Sequence, residues 1–252
     1  MPENPNIDDL IKDALNQAAN IGIITHIRPD GDAIGAALGL GLALKDAGKT
    51  VQMVLDGGIS PTFRHLAGTS FVKKEFEGDV DLIIVVDSAD LKRTGKLPSG
   101  RTPDICIDHH ITNEQFARIN LVEPQAVATS AILTSHLPAW GLHINTDVAK
   151  ALLTGILSDS IGFRTSNTSA ESLRLAANLI DAGANINELY NKALLSRSYE
   201  ATKYWGFGLT RLQRKNGMIW TSLTLEDRKA SGYFGNDDAD LTNILSSIDS
   251  FD

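Results

Sequence analysis

Four short segments hold most of the residues that could do chemistry. The first is Thr25-His26-Ile27-Arg28-Pro29-Asp30-Gly31-Asp32-Ala33, where a histidine and two carboxylates surround a proline and a glycine. The second is Asp87, directly after Leu82-Ile83-Ile84-Val85-Val86. The third is Asp108-His109-His110, after Ile105-Cys106-Ile107, and the fourth is Asp159, after the apolar stretch Leu152 to Leu157. In three of the four, the polar group stands just past the carboxyl end of an apolar run that reads as a buried strand. In open parallel sheets that edge is where ligands bind. Such a sheet gathers His26, Asp30, Asp32, Asp87, His109, His110 and Asp159 in one cleft.

Two like charges about 4 Å apart cost several kcal/mol at a protein-like dielectric. A divalent cation is the simple relief. Mixed imidazole and carboxylate ligands suit Mn²⁺, Fe²⁺, Co²⁺ or Zn²⁺, with positions left for water and substrate. Taken singly, each residue has an ordinary explanation. An Asp after a strand is usually a turn or a cap, Asp32 would cap a helix starting at Ala33, and a histidine pair is often surface. Four segments obeying one placement rule argue against all of them being ordinary.

The elements that must position these residues follow from periodicity. Ile7, Leu10, Ile11, Ala14, Leu15 and Ala18 have helical spacing over 7–19. Apolar runs at Ile21–Thr25, Thr50–Leu55, Val80–Val86 and Asp104–Ile107 read as strands, and Ile59–Leu66 as a short helix or loop. A helix from Ala33 to about Ala47 closes at Gly48, and its Gly35, Gly39 and Gly41 cost about 1 kcal/mol each against Ala. They imply close backbone packing or close approach of a ligand. Further helices are predicted over 147–158 and 169–181, the latter opened by a Thr168-x-x-Glu171 capping box. Alternating strands and helices with continuous apolar strands predict an α/β fold, a mostly parallel sheet covered on both faces and flanked by helices. Phe207–Gln213 and Met218–Leu223 around Lys215-Asn216-Gly217 predict a hairpin, followed by helical stretches from Leu225 and over about 238–248.

Composition sets the class. The chain has 252 residues with 42% hydrophobic, enough for a sizeable core, and 23 basic against 31 acidic residues give a net charge of −8. That balance excludes gripping nucleic acid by bulk positive charge, but not a small nucleotide held through bound cations. A single cysteine, Cys106, excludes an internal disulfide framework and thiol-based zinc sites. The N-terminus MPENPNIDDL shows no signal-peptide pattern, and no apolar stretch reaches the roughly 18–20 residues of a membrane span. The sequence is read as soluble and cytoplasmic.

The motif series His26-x-x-Pro29-Asp30-x-Asp32-Ala33-x-Gly35, Asp87-Ser88-Ala89-Asp90, Asp108-His109-His110 and Asp159-Ser160-x-Gly162-Phe163-Arg164 resembles the DHH phosphoesterase family. The likeness covers about residues 5–200 in motif order and is strongest to the branch that degrades nanoRNA and dephosphorylates pAp. It implies two divalent metal ions, Mn²⁺ foremost, with Mg²⁺ or Co²⁺ admitted. His26 and Asp30 match the ligands of one ion, and Asp32, His109 and Asp159 those of the other. Asp87 matches the carboxylate that bridges both. His110 matches the histidine that contacts the phosphate or protonates the leaving group, and Asp108 orients its neighbours. The implied substrates are short single-stranded oligoribonucleotides or pAp, cut to mononucleotides, with no membrane partner and a homodimer admitted. Alternatives are a linear or cyclic dinucleotide phosphodiesterase and, in another class, a metal- or nucleotide-binding module without turnover.

The resemblance implies a catalytic domain over 1–195, a linker over 196–206, and the beginning of a DHH-associated substrate domain over 207–252. The glycine-rich Gly-Gly-Gly-His segment usual in that domain does not occur before Asp252, so the domain is expected to be truncated. Arg28 and Arg164, with Thr165, Ser166 and Asn167, are weaker candidates for phosphate contact. His65, His136 and His143 have no partner at a telling spacing, and Trp140, Trp205 and Trp220 are expected in the core.

Overall fold

The computed structural model describes residues 6–94, 97, 101–235 and 237–248. Residues 1–5 and 249–252, on which the expectations about a leader and an early stop partly rest, lie outside the described residues. The chain divides into two compact units, Met1–Leu195 and Ser196–Asp252.

The first unit is built on six strands: β1 (Asn20–Ile24), β2 (Thr50–Val54), β3 (Val72–Lys73), β4 (Leu82–Val86), β5 (Ile105–Asp108) and β6 (Ile119–Val122). Their order in the sheet is β3-β2-β1-β4-β5-β6, and every pairing is parallel. Ile23 pairs with Met53 on one side and Ile84 on the other. The chain thus leaves β1 in one direction and returns at β4 on its other side. This reversal makes the β1/β4 boundary the switch point at which a crevice opens beyond the strand ends.

Alternate side chains supply two cores. Ile21, Ile23, Ile84, Val86, Ile105 and Ile107 join the main cluster. Ile24, Val54, Ile83 and Val85 form a smaller one, against which Phe76, Leu97 and Phe116 pack. Burial on both faces is the reason the strands read as unbroken apolar runs. The main core is completed by α1 (Ile7–Gln17), α2 (Gly31–Asp46), α3 (Thr129–His136), α4 (Thr146–Asp159) and α5 (Ala170–Asp181). The short α6 (Ile186–Tyr190) and a π-helical turn over 191–195 end the unit.

Helices α2 and α4 touch backbone to backbone. A Cβ on Gly35 would stand 2.6 Å from the Ala151 carbonyl oxygen and 2.9 Å from Gly155 Cα. Gly35 therefore serves close helix packing, while Gly39 leaves room for the Leu152 side chain of α4 and Gly41 for the Met53 side chain of β2.

Several local readings shift. The α2 helix begins at Gly31, and its cap is Asp30, not Asp32. The α5 capping box is Ser169/Ser172 rather than Thr168/Glu171, because the Ser172 hydroxyl reaches the Ser169 N–H at 2.9 Å. Strand β6, with Asn120 at its centre, and α3, rich in Ser and Thr with Ala128 in its cap position, carry no sequence signal strong enough to predict them.

The second unit contains α7 (Tyr199–Thr210), a hairpin of β7 (Gln213–Lys215) and β8 (Met218–Trp220), α8 (Leu225–Ser231) and α9 (Leu241–Leu245). The hairpin is shorter than predicted: Phe207–Thr210 close a helix whose buried stripe is Ala201, Tyr204 and Gly208. Residues 199–206, read as linker, belong to the same helix. Asn216 and Gly217, both with positive φ, make the turn. Trp205 packs on the cluster of Ala201, Tyr204 and Ala239, whereas Trp220 is 39% exposed. No helix among the described residues is long and apolar enough to cross a membrane.

His136, without an evident partner in sequence, clamps the end of α3. Its Nδ1 lies 2.6 Å from Asp8 Oδ1 on α1 and its Nε2 3.0 Å from Glu123 Oε1 after β6, while Trp140 Nε1 donates to the same Asp8 oxygen at 2.9 Å. The Glu123 contact raises the His136 pKa, burial opposes it, and Asp8 adds to the rise. A histidine with a raised folded pKa stabilises fully below its unfolded pKa of about 6.5 and loses that contribution as pH rises through the folded value. The parent should therefore exceed His136→Gln in stability by more at pH 6 than at pH 9, by urea unfolding. An equal gap at the two pH values would show that the clamp does not titrate.

Candidate metal centre

The charged residues collect where the sheet reverses. His26 stands two residues past β1, Asp87 one past β4, and Asp108 ends β5, with His109 and His110 next. Asp30 caps α2, Asp32 lies in its first turn, and Asp159 is the last residue of α4. Asp87 adopts a left-handed conformation (φ 56°), which an Asp tolerates better than most residues and which turns the chain sharply off the strand.

Three sets of side chains each offer ligand atoms within 4.8 Å of one another: His26, Asp30 and Asp87; Asp32, His109 and Asp159; and Asp87, His109 and His110. All seven cleft residues read from the sequence are thus brought together, and Asp87 belongs to two sets. Its oxygens face opposite ways. Oδ2 is 3.6 Å from His26 Nε2, and Oδ1 is 3.7 Å from His109 Nε2. His26 Nε2 is also 3.6 Å from Asp30 Oδ2, and His109 Nε2 3.7 Å from Asp159 Oδ2. The floor is buried, with Asp87 and His26 side chains at 2% and 6% exposure, whereas Asp30 at 61% opens to solvent.

Both histidines are oriented from behind. His26 Nδ1 lies 2.9 Å from the Ile27 carbonyl and His109 Nδ1 3.3 Å from the Ala126 carbonyl. A carbonyl only accepts, so Nδ1 carries a proton and Nε2 is the ring atom left to face two carboxylates. Those separations exceed a hydrogen bond. They are close to the roughly 3.0–3.6 Å between two ligands that each sit about 2.1 Å from one ion. The donor set of imidazole nitrogen and carboxylate oxygen therefore fits divalent cations.

The remaining contacts set the carboxylates. Asp32, instead of capping its own helix, caps α3: Thr129 N donates to its Oδ2 at 2.6 Å and Ser130 N to its Oδ1 at 3.0 Å. Ala128 in the cap position offers no side-chain acceptor, so Asp32 satisfies donors the helix would otherwise leave open. Thr129 Oγ1 donates to Asp87 Oδ1 at 3.0 Å. Asp108 accepts from His110 Nδ1 at 2.7 Å, His109 N at 2.9 Å and Asn113 Nδ2 at 2.6 Å.

The electrostatics follow from this crowding. Burial first, then the charges of Asp87 and Asp159, push Asp32 well above the usual carboxylate range. Asp159 is pushed up to about 6 by burial and, against the pull of His109, by Asp87 and Asp30. Burial works against a charged His26, yet Asp30 and Asp87 raise it to about 10. Burial would raise Asp108, but hydrogen bonds from His110 and Asn113 hold it below its ordinary value. His110 is raised, by the Asp108 hydrogen bond before all else. Cys106 is buried with its thiol pushed up to about 12 by that burial, so it is no nucleophile here.

Arg28 and Arg164 are exposed, and among the described residues neither guanidinium has a carboxylate partner. Thr129, Ser130 and Asn113 were not legible as site residues. Nothing local to Thr129 signals that a carboxylate 97 positions earlier caps its helix.

The family model described as the DHH family, N-terminal domain, matches residues 20–156. Over 178 residues the chain is 35% identical to the bifunctional oligoribonuclease and PAP phosphatase NrnA of Thermus thermophilus, across 68% of this chain and 53% of that protein. A Bacillus subtilis protein of the same description is 28% identical over 215 residues, across 83% of this chain and 64% of its own length. The chain thus spans 53% and 64% of these two curated relatives. Among solved structures, an exopolyphosphatase-related protein from Bacteroides fragilis superposes with a TM-score of 0.88 at 25% identity, covering 96% of this chain and 76% of that one.

Carboxylates crowded without a cation oppose folding. Asp159→Asn removes one charge at the rim while keeping the side-chain shape. In chelator the variant should melt a few degrees above the parent, by differential scanning calorimetry. A lower melting temperature would mean that repulsion is not the dominant force on Asp159.

Proposed function

The chain belongs to the DHH family, and on that footing we propose that it is a divalent-metal-dependent phosphoesterase that hydrolyses short oligoribonucleotides and pAp to mononucleotides. The observation that carries this reading is Asp87, whose two oxygens face His26 Nε2 and His109 Nε2 at 3.6 and 3.7 Å. His26, Asp30 and Asp87 would hold one ion, and Asp32, His109 and Asp159, with Asp87, the other. Mn²⁺ is the proposed ion, in keeping with mixed oxygen and imidazole donors. Bound there, a pair of ions supplies an acidified water and charge stabilisation for in-line displacement at phosphorus.

The protein's own groups do the rest. Asp30 opens the floor to solvent, where a phosphate enters. Asp108 accepts a hydrogen bond from His110 Nδ1 at 2.7 Å, which fixes the ring and leaves Nε2 for the substrate. That hydrogen bond raises the His110 pKa, which favours the imidazolium. As water oxygen bonds to phosphorus and the P–O ester bond breaks, the Nε2 proton passes to the leaving oxygen. The exposed Arg28 and Arg164 would meet further phosphates. The second unit, Ser196–Asp252, is read as belonging to a DHH-associated substrate domain. The lone buried Cys106 suits a reducing, cytoplasmic setting.

Release of AMP or phosphate from a panel of pAp, pApA, a short RNA, cyclic dinucleotide and pyrophosphate tests the reading. Chelation should abolish turnover, and Mn²⁺ should restore it best. Full turnover in metal-free protein would sink the proposal, and preference for a cyclic dinucleotide would redirect it. Asp87→Ala should lose both ions by elemental analysis. His110→Ala should keep them and lose about 10²–10⁴-fold in kcat, the range for a general acid. Two ions retained in Asp87→Ala would refute the shared assignment.

A further inference from the structure

Thr129 touches both halves of the centre. Its backbone N–H donates to Asp32 Oδ2 at 2.6 Å, and its hydroxyl donates to Asp87 Oδ1 at 3.0 Å. Thr129 and Asp87 are both buried, at 0% and 2% exposure, so no solvent replaces that hydroxyl. Among the described residues it makes the one hydrogen bond that the Asp87 carboxylate accepts. The last torsion of an Asp side chain is soft and broad. Free to turn, the carboxylate would favour one ion and leave the other without an oxygen, although the main chain at Asp87 stays put. An anchored Oδ1 fixes the plane and keeps the two oxygens divided.

We propose that Thr129 is a positioning residue: its hydroxyl sets the plane of the Asp87 carboxylate so that each oxygen serves a different ion, and without it one ion binds far more weakly than the other. This rests on the two-ion reading above. The backbone bond to Asp32 survives any side-chain change at position 129, so Asp32 keeps its place and the loss falls on the shared carboxylate. Thr129→Val keeps the branched shape and removes only the donor. Thr129→Ser keeps the donor and removes a methyl group.

The test is calorimetric titration of the chelator-stripped 252-residue chain with Mn²⁺, with no turnover involved. In Thr129→Val, one of two binding steps should weaken at least tenfold and the other less than threefold. Thr129→Ser should stay within threefold of the parent at both. Thermal melts of the stripped proteins report folding, and Thr129→Ala is read in the same way should the valine variant not fold. Two unchanged steps in the folded hydroxyl-free variant would overturn the proposal while leaving the two-ion reading intact. Equal weakening of both steps, or no rescue by serine, would overturn it in favour of a packing role. Fewer than two Mn²⁺ bound by the parent would overturn the two-ion reading itself, and this inference with it.

Discussion

Four carboxylates, Asp30, Asp32, Asp87 and Asp159, stand with three imidazoles at one corner of a parallel sheet, and their mutual repulsion is the constraint around which the first unit is arranged. At a protein-like dielectric each close pair of like charges costs several kcal/mol. A fold that holds them needs rigid supports behind every group and a cation in front. The supports are visible. Carbonyls of Ile27 and Ala126 fix the two histidine tautomers, and the first turn of α3 holds Asp32 by both oxygens.

The same constraint explains otherwise costly sequence choices. Gly35 and Gly155 weaken the helices that carry them, but they let α2 and α4 approach to backbone contact. Asp32 opens one of these helices and Asp159 closes the other, so the packing of the pair sets how the two carboxylates meet. A side chain on Gly155 would collide with Ser130 Oγ and crowd Asp32 Oδ1. The left-handed Asp87 is a further local cost that places the shared carboxylate at the switch point. Gathering these ligands and metal-free stability therefore pull in opposite directions at this corner.

Behind His110 lies a chain of neutral and charged partners. Asn113 donates to Asp108 and to the Ser88 carbonyl, joining the end of β5 to the loop after β4. Asp108 in turn accepts a hydrogen bond from His110 Nδ1. The arrangement orients a group 36% exposed at the rim through the buried Asp108 and the half-buried Asn113.

The sequence by itself determined the parallel α/β class and which residues gather. Strands buried on both faces must be apolar throughout, so the polar residue that ends each run marks the sheet edge, as Asp87 and Asp108 do. Short-range signals were also legible: the turn at Asn216-Gly217, the α8 start, and the crowding implied by Gly35. Where competing caps lay one residue apart, as at Asp30 and Asp32 or Thr168 and Ser169, local pattern could not choose between them. Only the tertiary structure decided that Asp32 caps a helix 97 residues later, that Thr129 donates to Asp87, and that the Asp87 oxygens part toward different histidines. Those facts depend on the strand order and on how closely α2 meets α4. Hydrogen bonds across such separations have no periodicity, so no residue type or spacing near Thr129 records them.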